Sequence, residues 1–284
     1  MEPIVIRSCF GHEIMAMQFA NVLGCEVLVC PSADNEKEYN QRAEKIARFM
    51  SYFGDLKIVP FCERGGCEAW DVIADLKTGK LGDLAWLDFF KSKLEPMLEF
   101  NEPDFDCWGV RRRVLVIPQK LLSDNLCGVT AQDQSLNPEL FSFLRKQDYT
   151  ALILGQHFDK EADLKAVTNL EYVFGPCLYV PGLTENHELL GLRGVEHRLY
   201  HNLYRGLTGS VGIAGTHTWM LLTVFPEVPQ VILYNKKGVE NWQAIARAAR
   251  RQGYNIVAIG FDNSTDMSQL SKQIEKACRG LGII

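Results

Sequence analysis

The chain has 284 residues, 47% of them hydrophobic and 23% charged, with a formal net charge of −5. That length holds two domains of modest size, and the composition excludes long disordered stretches. The acidic balance argues against stable nucleic-acid binding, because phosphate contacts call for a basic surplus.

Strand-like apolar runs alternate with helical patterns from the first residues onward. Ile4 to Arg7 reads as a strand, and Glu13 to Leu23 as a helix stopped by Gly24. Glu26 to Cys30 is a second strand, Glu36 to Phe53 an amphipathic helix ended by Gly54, and Leu56 to Phe61 a third strand. Two helices are expected at Ala69 to Leu76 and Leu84 to Phe100. Pro103 and its acidic neighbours then read as a connector. The boundary is expected near residue 110, which gives domains 1–110 and 111–284.

The second half is more regular. Strands are expected at Val114 to Pro118, Thr150 to Gly155, Tyr172 to Phe174, Ser210 to Ala214, Gln230 to Tyr234 and Asn255 to Phe261. Helices are expected at Pro138 to Arg145, Lys160 to Val167, Glu196 to Leu207, Thr216 to Phe225, Glu240 to Gln252 and Ser268 to Arg279. Apolar strands joined by helical crossovers imply an α/β fold with parallel sheets covered on both faces.

The nine cysteines are scattered and odd in number, and Cys25 and Cys30 flank an apolar run. This usage suits a reducing compartment, where thiols behave as small hydrophobes. Met1 to Ile6 runs straight into a strand without the marks of a signal peptide. No run approaches the ~18 apolar residues of a membrane span. A cytoplasmic protein with no transmembrane segment is expected.

The strongest chemical signal is Ser210-Val211-Gly212-Ile213-Ala214-Gly215-Thr216-His217-Thr218. A strand of small residues ends in Gly215, and a helix begins at once. The N–H groups of its first turn and its dipole favour phosphate or carboxylate. Gly212 and Gly215 let the backbone approach a ligand, Thr216 and Thr218 add hydroxyls, and His217 adds a donor. The structural reading of the same residues is a tight turn capped by His217. No Gly-x-Gly-x-x-Gly follows the first strand and no P-loop motif occurs, which argues against a dinucleotide oxidoreductase and a P-loop NTPase.

Strand, Gly-Thr-His, apolar helix, then Pro229-Gln230-Val231-Ile232-Leu233-Tyr234 resembles the C-terminal half of GT-B glycosyltransferases. It is most similar to the heptosyltransferases of glycosyltransferase family 9. The family's usual Asp-Thr-Gly before the histidine is Ala214-Gly215-Thr216 here. The resemblance implies two Rossmann-like α/β/α halves facing across a cleft. It implies that Gly215, Thr216, His217 and Thr218 hold the donor diphosphate. It also places an acceptor-side base near the first strand-to-helix turn, where His12 and Glu13 are the ionisable side chains. An exposed His12 and a Glu13 that favours the helix start are the structural reading there. Metal-independent chemistry is expected, with a nucleotide sugar as co-substrate and no cofactor.

Further positions follow from strand ends. Lys120 can neutralise a departing diphosphate, Gly155 and Gln156 can meet the nucleobase or ribose, and Glu63-Arg64-Gly65-Gly66 can meet the acceptor. No metal site is expected. His197 and His201 share a helix face at a spacing that permits metal ligation, but no Glu follows His197 as a metalloprotease motif needs, Cys62 and Cys67 lack a second pair, and Asp104-Phe105-Asp106 lies in a connector. Arg111-Arg112-Arg113 reads as a solvated entry to a strand. Two alternatives to a glycosyltransferase remain open: a sugar-nucleotide epimerase or hydrolase on the same fold, and a non-catalytic nucleotide-ligand-binding protein. The identity of the acceptor is not readable.

Overall fold

Runs rich in aliphatic residues become parallel strands, and the longer runs between them become helices. The structure, a computed structural model, describes residues 2–7, 10–51, 53–66, 89–91, 113–117, 138–146, 150–154, 177–180, 204, 206–237 and 241–284. One unit takes Met1–Asn101 with Trp219–Pro226 and Val239–Gln252. The other takes Glu102–Thr218, Glu227–Gly238 and Gly253–Ile284.

In the first unit, β1 (Ile4–Ile6), β2 (Val27–Val29) and β3 (Lys57–Ile58) form a parallel sheet in that order. Ile4 pairs with Val27, and Leu28 with Lys57. Helix α1 (Phe10–Leu23) begins three residues before its expected start. Gly11, His12 and Glu13 therefore lie in its first turn, where N–H groups have no intrahelical acceptor. It ends at Gly24, whose φ of 63° only glycine adopts easily.

Helix α2 (Glu36–Met50) is capped by Asn35, whose side chain accepts from the Glu38 N–H at 2.9 Å. Its Tyr39 and Ala43 pack with Val5, Val29, Cys30 and Val59. The Tyr39 hydroxyl donates to the Val59 carbonyl at 2.7 Å. Strand β3 stops short of its expected end at Phe61. Pro60 has no N–H to continue the ladder, and Phe61–Gly66 winds into a 3-10 helix instead.

Farther along, an aromatic cluster joins segments distant in sequence. Phe19 and Phe89 have ring centroids 5.0 Å apart, Phe89 meets Trp219 of α3 (Thr216–Val224) at 6.0 Å, and Trp219 meets Trp242 of α4 (Trp242–Arg251) at 4.9 Å.

The second unit holds six parallel strands: β4 (Arg113–Ile117), β5 (Thr150–Leu154), β6 (Cys177–Val180), β7 (Gly209–Ile213), β8 (Gln230–Asn235) and β9 (Ile256–Phe261). Their spatial order is β6-β5-β4-β7-β8-β9. Numbered from its own first strand this is 3-2-1-4-5-6, a doubly wound order whose direction reverses between β4 and β7. Strand β6 went unforeseen. It is four residues long and set between Pro176 and Pro181, residues that read as punctuation. The strand expected at 172–174 and the helices at 69–76 and 160–167 lie outside the described residues.

Val114, Val116, Val211, Ile213, Val231 and Leu233 share one core with Phe141 and Leu144 of a 3-10 helix (Pro138–Lys146). Leu270, Ile274 and Cys278 of α5 (Met267–Gly280) complete it. Each buried aliphatic side chain there stabilises the fold by about 1.5–3 kcal/mol relative to exposure. Burial pushes the Cys278 thiol up to about 12, so it packs as a small hydrophobe. Cys30 is also buried, Cys25 is partly so, and Cys62 is exposed.

Both ends of α5 are fixed. The Asp266 side chain accepts from the Ser268 N–H at 2.8 Å and the Gln269 N–H at 3.3 Å. Asp266→Ala is expected to cost about 1 kcal/mol, read as a lower urea midpoint. At the other end Gly282 adopts φ 70° and donates to the Arg279 carbonyl, and the Ile283 N–H donates to the Cys278 carbonyl at 2.9 Å. This double closure turns the chain back over the core. Among the described residues, no helix is long and apolar enough to cross a membrane.

Candidate functional site

In an open parallel sheet, ligands bind beyond the carboxyl ends of the strands, at the point where strand order reverses. Here that point lies at the ends of β4 and β7, where Ile117 pairs with Gly212. The ladder continues one residue past β7, because the Ala214 N–H donates to the Leu233 carbonyl at 2.8 Å. Gly215 then occupies the N-cap position of α3 (Thr216–Val224), which carries no acidic residue in its first turn. The positive end of the helix dipole is thus not neutralised by a carboxylate of its own first turn.

The local roles of the four small residues differ. Gly215 is partly buried, and a Cβ built on it meets nothing within 4 Å. Its glycine is not demanded by crowding from the protein itself. Gly212 has φ 155° within β7, a conformation side chains disfavour, so backbone geometry alone accounts for it. Thr218 is 3% exposed, and its hydroxyl accepts from the Gly215 N–H at 3.1 Å. This is the return half of a capping box, in which a side chain in the first turn satisfies the N-cap amide. Sequence reasoning missed that role, because Gly-Thr-His-Thr does not say which threonine turns back. Thr216 and His217 open α3, and only their backbone is described.

The same holds for His12 and Glu13, whose backbone lies in the first turn of α1, beyond the carboxyl end of β1. Lys120, Gly155, Gln156, His197, His201, Cys67, Asp104, Asp106, Arg111 and Arg112 lie outside the described residues. Among the described residues no three His, Cys, Asp or Glu side chains gather as a metal-ligand set.

One charged pair on this sheet edge was not anticipated. Lys236 follows β8, Asp262 follows β9, and their side chains meet at 3.3 Å. Asp262 also accepts from the Ser264 hydroxyl at 2.6 Å and the Ser264 N–H at 3.0 Å. These bonds from Ser264, then those from Lys236 and Thr265, hold the Asp262 carboxyl down to about 2. The signal was present in Asp262-Asn263-Ser264-Thr265, a turn in which an aspartate binds its own following amides. A carboxylate lowered in the folded state adds stability above its unfolded value near 4, lost as pH falls through about 2. Asp262→Asn is expected to lower stability by a constant amount above pH 5 and to flatten the pH dependence of unfolding over that window. An unaltered curve in the acid range would contradict this.

The arrangement offers an N-terminal helix turn for an anion, a glycine with room above it, and a cation on the same edge held by its own carboxylate. No model of a known protein family matches the sequence, and no curated protein matches it significantly.

Proposed function

We propose that the chain is a glycosyltransferase of GT-B type, which moves a sugar from a nucleotide-sugar donor to a hydroxyl acceptor. The fold reading that goes with it is two Rossmann-like halves, the first for the acceptor and the second for the donor. The observation that carries it is the placement of Gly215 and the first turn of α3. They follow the fourth strand of a 3-2-1-4-5-6 sheet, where the order reverses, and no first-turn carboxylate opposes an anion.

In this reading the donor diphosphate lies on Gly215, Thr216 and His217. Thr218 holds the turn in shape, and Gly215 keeps a side chain out of the approach. Lys120 assists the departing diphosphate, and Gly155 and Gln156 meet the nucleoside. His12 or Glu13 takes the proton from the acceptor hydroxyl as its oxygen bonds to the anomeric carbon. The bond from that carbon to the diphosphate oxygen breaks, and the electron pair leaves with the diphosphate. Helix amides and basic side chains stabilise the charge that develops there without a metal. The cysteine usage fits a cytoplasmic setting.

A thermal-shift series with nucleoside diphosphates and their sugars tests the reading. A ligand that binds only the folded state raises the melting temperature, by about 2.7 kcal/mol of added stability at a hundredfold excess over Kd. One nucleotide family is expected to stand out, with its sugar conjugate consumed only when an acceptor is supplied. Consumption without an acceptor points to an epimerase or hydrolase, and binding without turnover to a non-catalytic protein. A flat response to every nucleotide defeats the proposal.

A further inference from the structure

We infer that Arg64 forms a second anion-binding site, for a carboxylate- or phosphate-bearing small molecule, at the carboxyl edge of the β1-β2-β3 sheet. Two arginines tie down the segment that follows β2. Arg42 donates to the Ser32 carbonyl at 2.7 Å, and its charge is matched by Glu38 at 2.6 Å. Arg64 donates from Nη1 to the Ala33 carbonyl at 2.6 Å, and no carboxylate pairs with it among the described residues.

The Arg64 guanidinium is held in place from beneath. Its carbon lies 3.8 Å from the centroid of the Phe61 ring. Phe61 meets Tyr39 edge-on at 5.4 Å, and Tyr39 is fixed by its bond to the Val59 carbonyl. One edge of the guanidinium is therefore used, one face is stacked, and the exposed remainder is presented in a set orientation. A planar fork fixed in advance binds a two-oxygen anion at less ordering cost than a free side chain. Gly65 and Gly66 come next in the chain, and a Cβ on either meets nothing within 4 Å. Arg64 and both glycines are exposed, at the sheet edge where parallel sheets take ligands.

This site does not depend on the turn after β7, and its test reads residues far from Gly215 in the sequence. In the full chain, the Arg64 Nε–H and the Gly65 and Gly66 amide signals are followed by nuclear magnetic resonance. Inorganic phosphate and acetate are titrated separately, with chloride holding ionic strength constant. Saturable shifts with phosphate or acetate, absent with chloride, are expected, and the tighter of the two names the ligand class. Arg64→Gln is expected to abolish the shifts at Gly65 and Gly66. Arg64→Lys is expected to weaken binding about tenfold, because an ammonium lacks the fork. Phe61→Leu keeps the charge but removes the platform, and is expected to weaken binding with the chain still folded. Shifts that persist in Arg64→Gln, or that chloride reproduces, overturn the inference and leave Arg64 as a tie to the Ala33 segment.

Discussion

Adding a single methyl group at Gly209 is expected to destabilise the protein by about 1–3 kcal/mol, the usual cost of overfilling a packed core. Gly209 opens β7, and a Cβ built there lies 2.6 Å from Ile283 Cγ1 and 2.9 Å from its Cδ1 and Cγ2. Ile283 is fully buried, and its backbone is fixed by the closure of α5 through Gly282. It therefore has little freedom to move aside. Ile283→Ala is expected to cost about 2–5 kcal/mol by leaving a cavity. In the double variant the new methyl at 209 enters the space vacated at 283. Its cost should fall below the sum of the single costs by more than the ~0.5 kcal/mol typical of independent sites. Urea midpoints of the four proteins test this, and a Gly209→Ala protein that unfolds at the wild-type midpoint would show that the clash relaxes freely.

Gly215→Asp is expected to move stability and ligand binding in opposite directions. Aspartate is a better N-cap than glycine by a few tenths of a kcal/mol, and its charge suits the start of α3. Gly215 has room for the side chain and is not in the left-handed region. The melting temperature should hold or rise slightly. A fixed carboxylate about 6 Å from a bound diphosphate costs about 3 kcal/mol at an effective dielectric of 20. Nucleotide affinity should therefore fall about 100-fold. Gly215→Asn offers the same cap without the charge and should bind better than the aspartate variant. If both variants bind a nucleotide as tightly as the parent, the diphosphate does not sit on this turn.

Much of the second unit was readable because its strands are short, largely apolar runs bounded by turn residues. The expected and observed limits of β4, β7, β8 and β9 agree to about one residue. Reading failed where one residue's backbone chemistry outweighed hydrophobic pattern. Pro60 cut β3 to two residues, and the prolines around Cys177–Val180 hid β6. The apolar spacing after Pro138 implied a helix but could not distinguish the 3-10 form. Strand order was out of reach, because β4 pairs with β7 across almost a hundred residues and no local signal sets that choice. The position of the Gly215 turn was legible, since glycine and hydroxyl residues mark the end of a strand. The inward use of the Thr218 hydroxyl and the positive φ of Gly212 were not, because both depend on backbone angles the residue names leave open.

The first unit is discontinuous in sequence, and synthesis of the chain runs in one direction. A ribosome that has released residues 1–101 has made the β1-β2-β3 sheet but neither Trp219 nor Trp242. Until then Phe89 lacks the ring of Trp219 that it meets in the finished structure. The nascent chain thus carries an unfinished aromatic surface through more than a hundred further residues, at about 5–20 residues per second. Separating the N-terminal segment from residues 219–252 leaves that surface open to water, to chaperones or to another copy of itself.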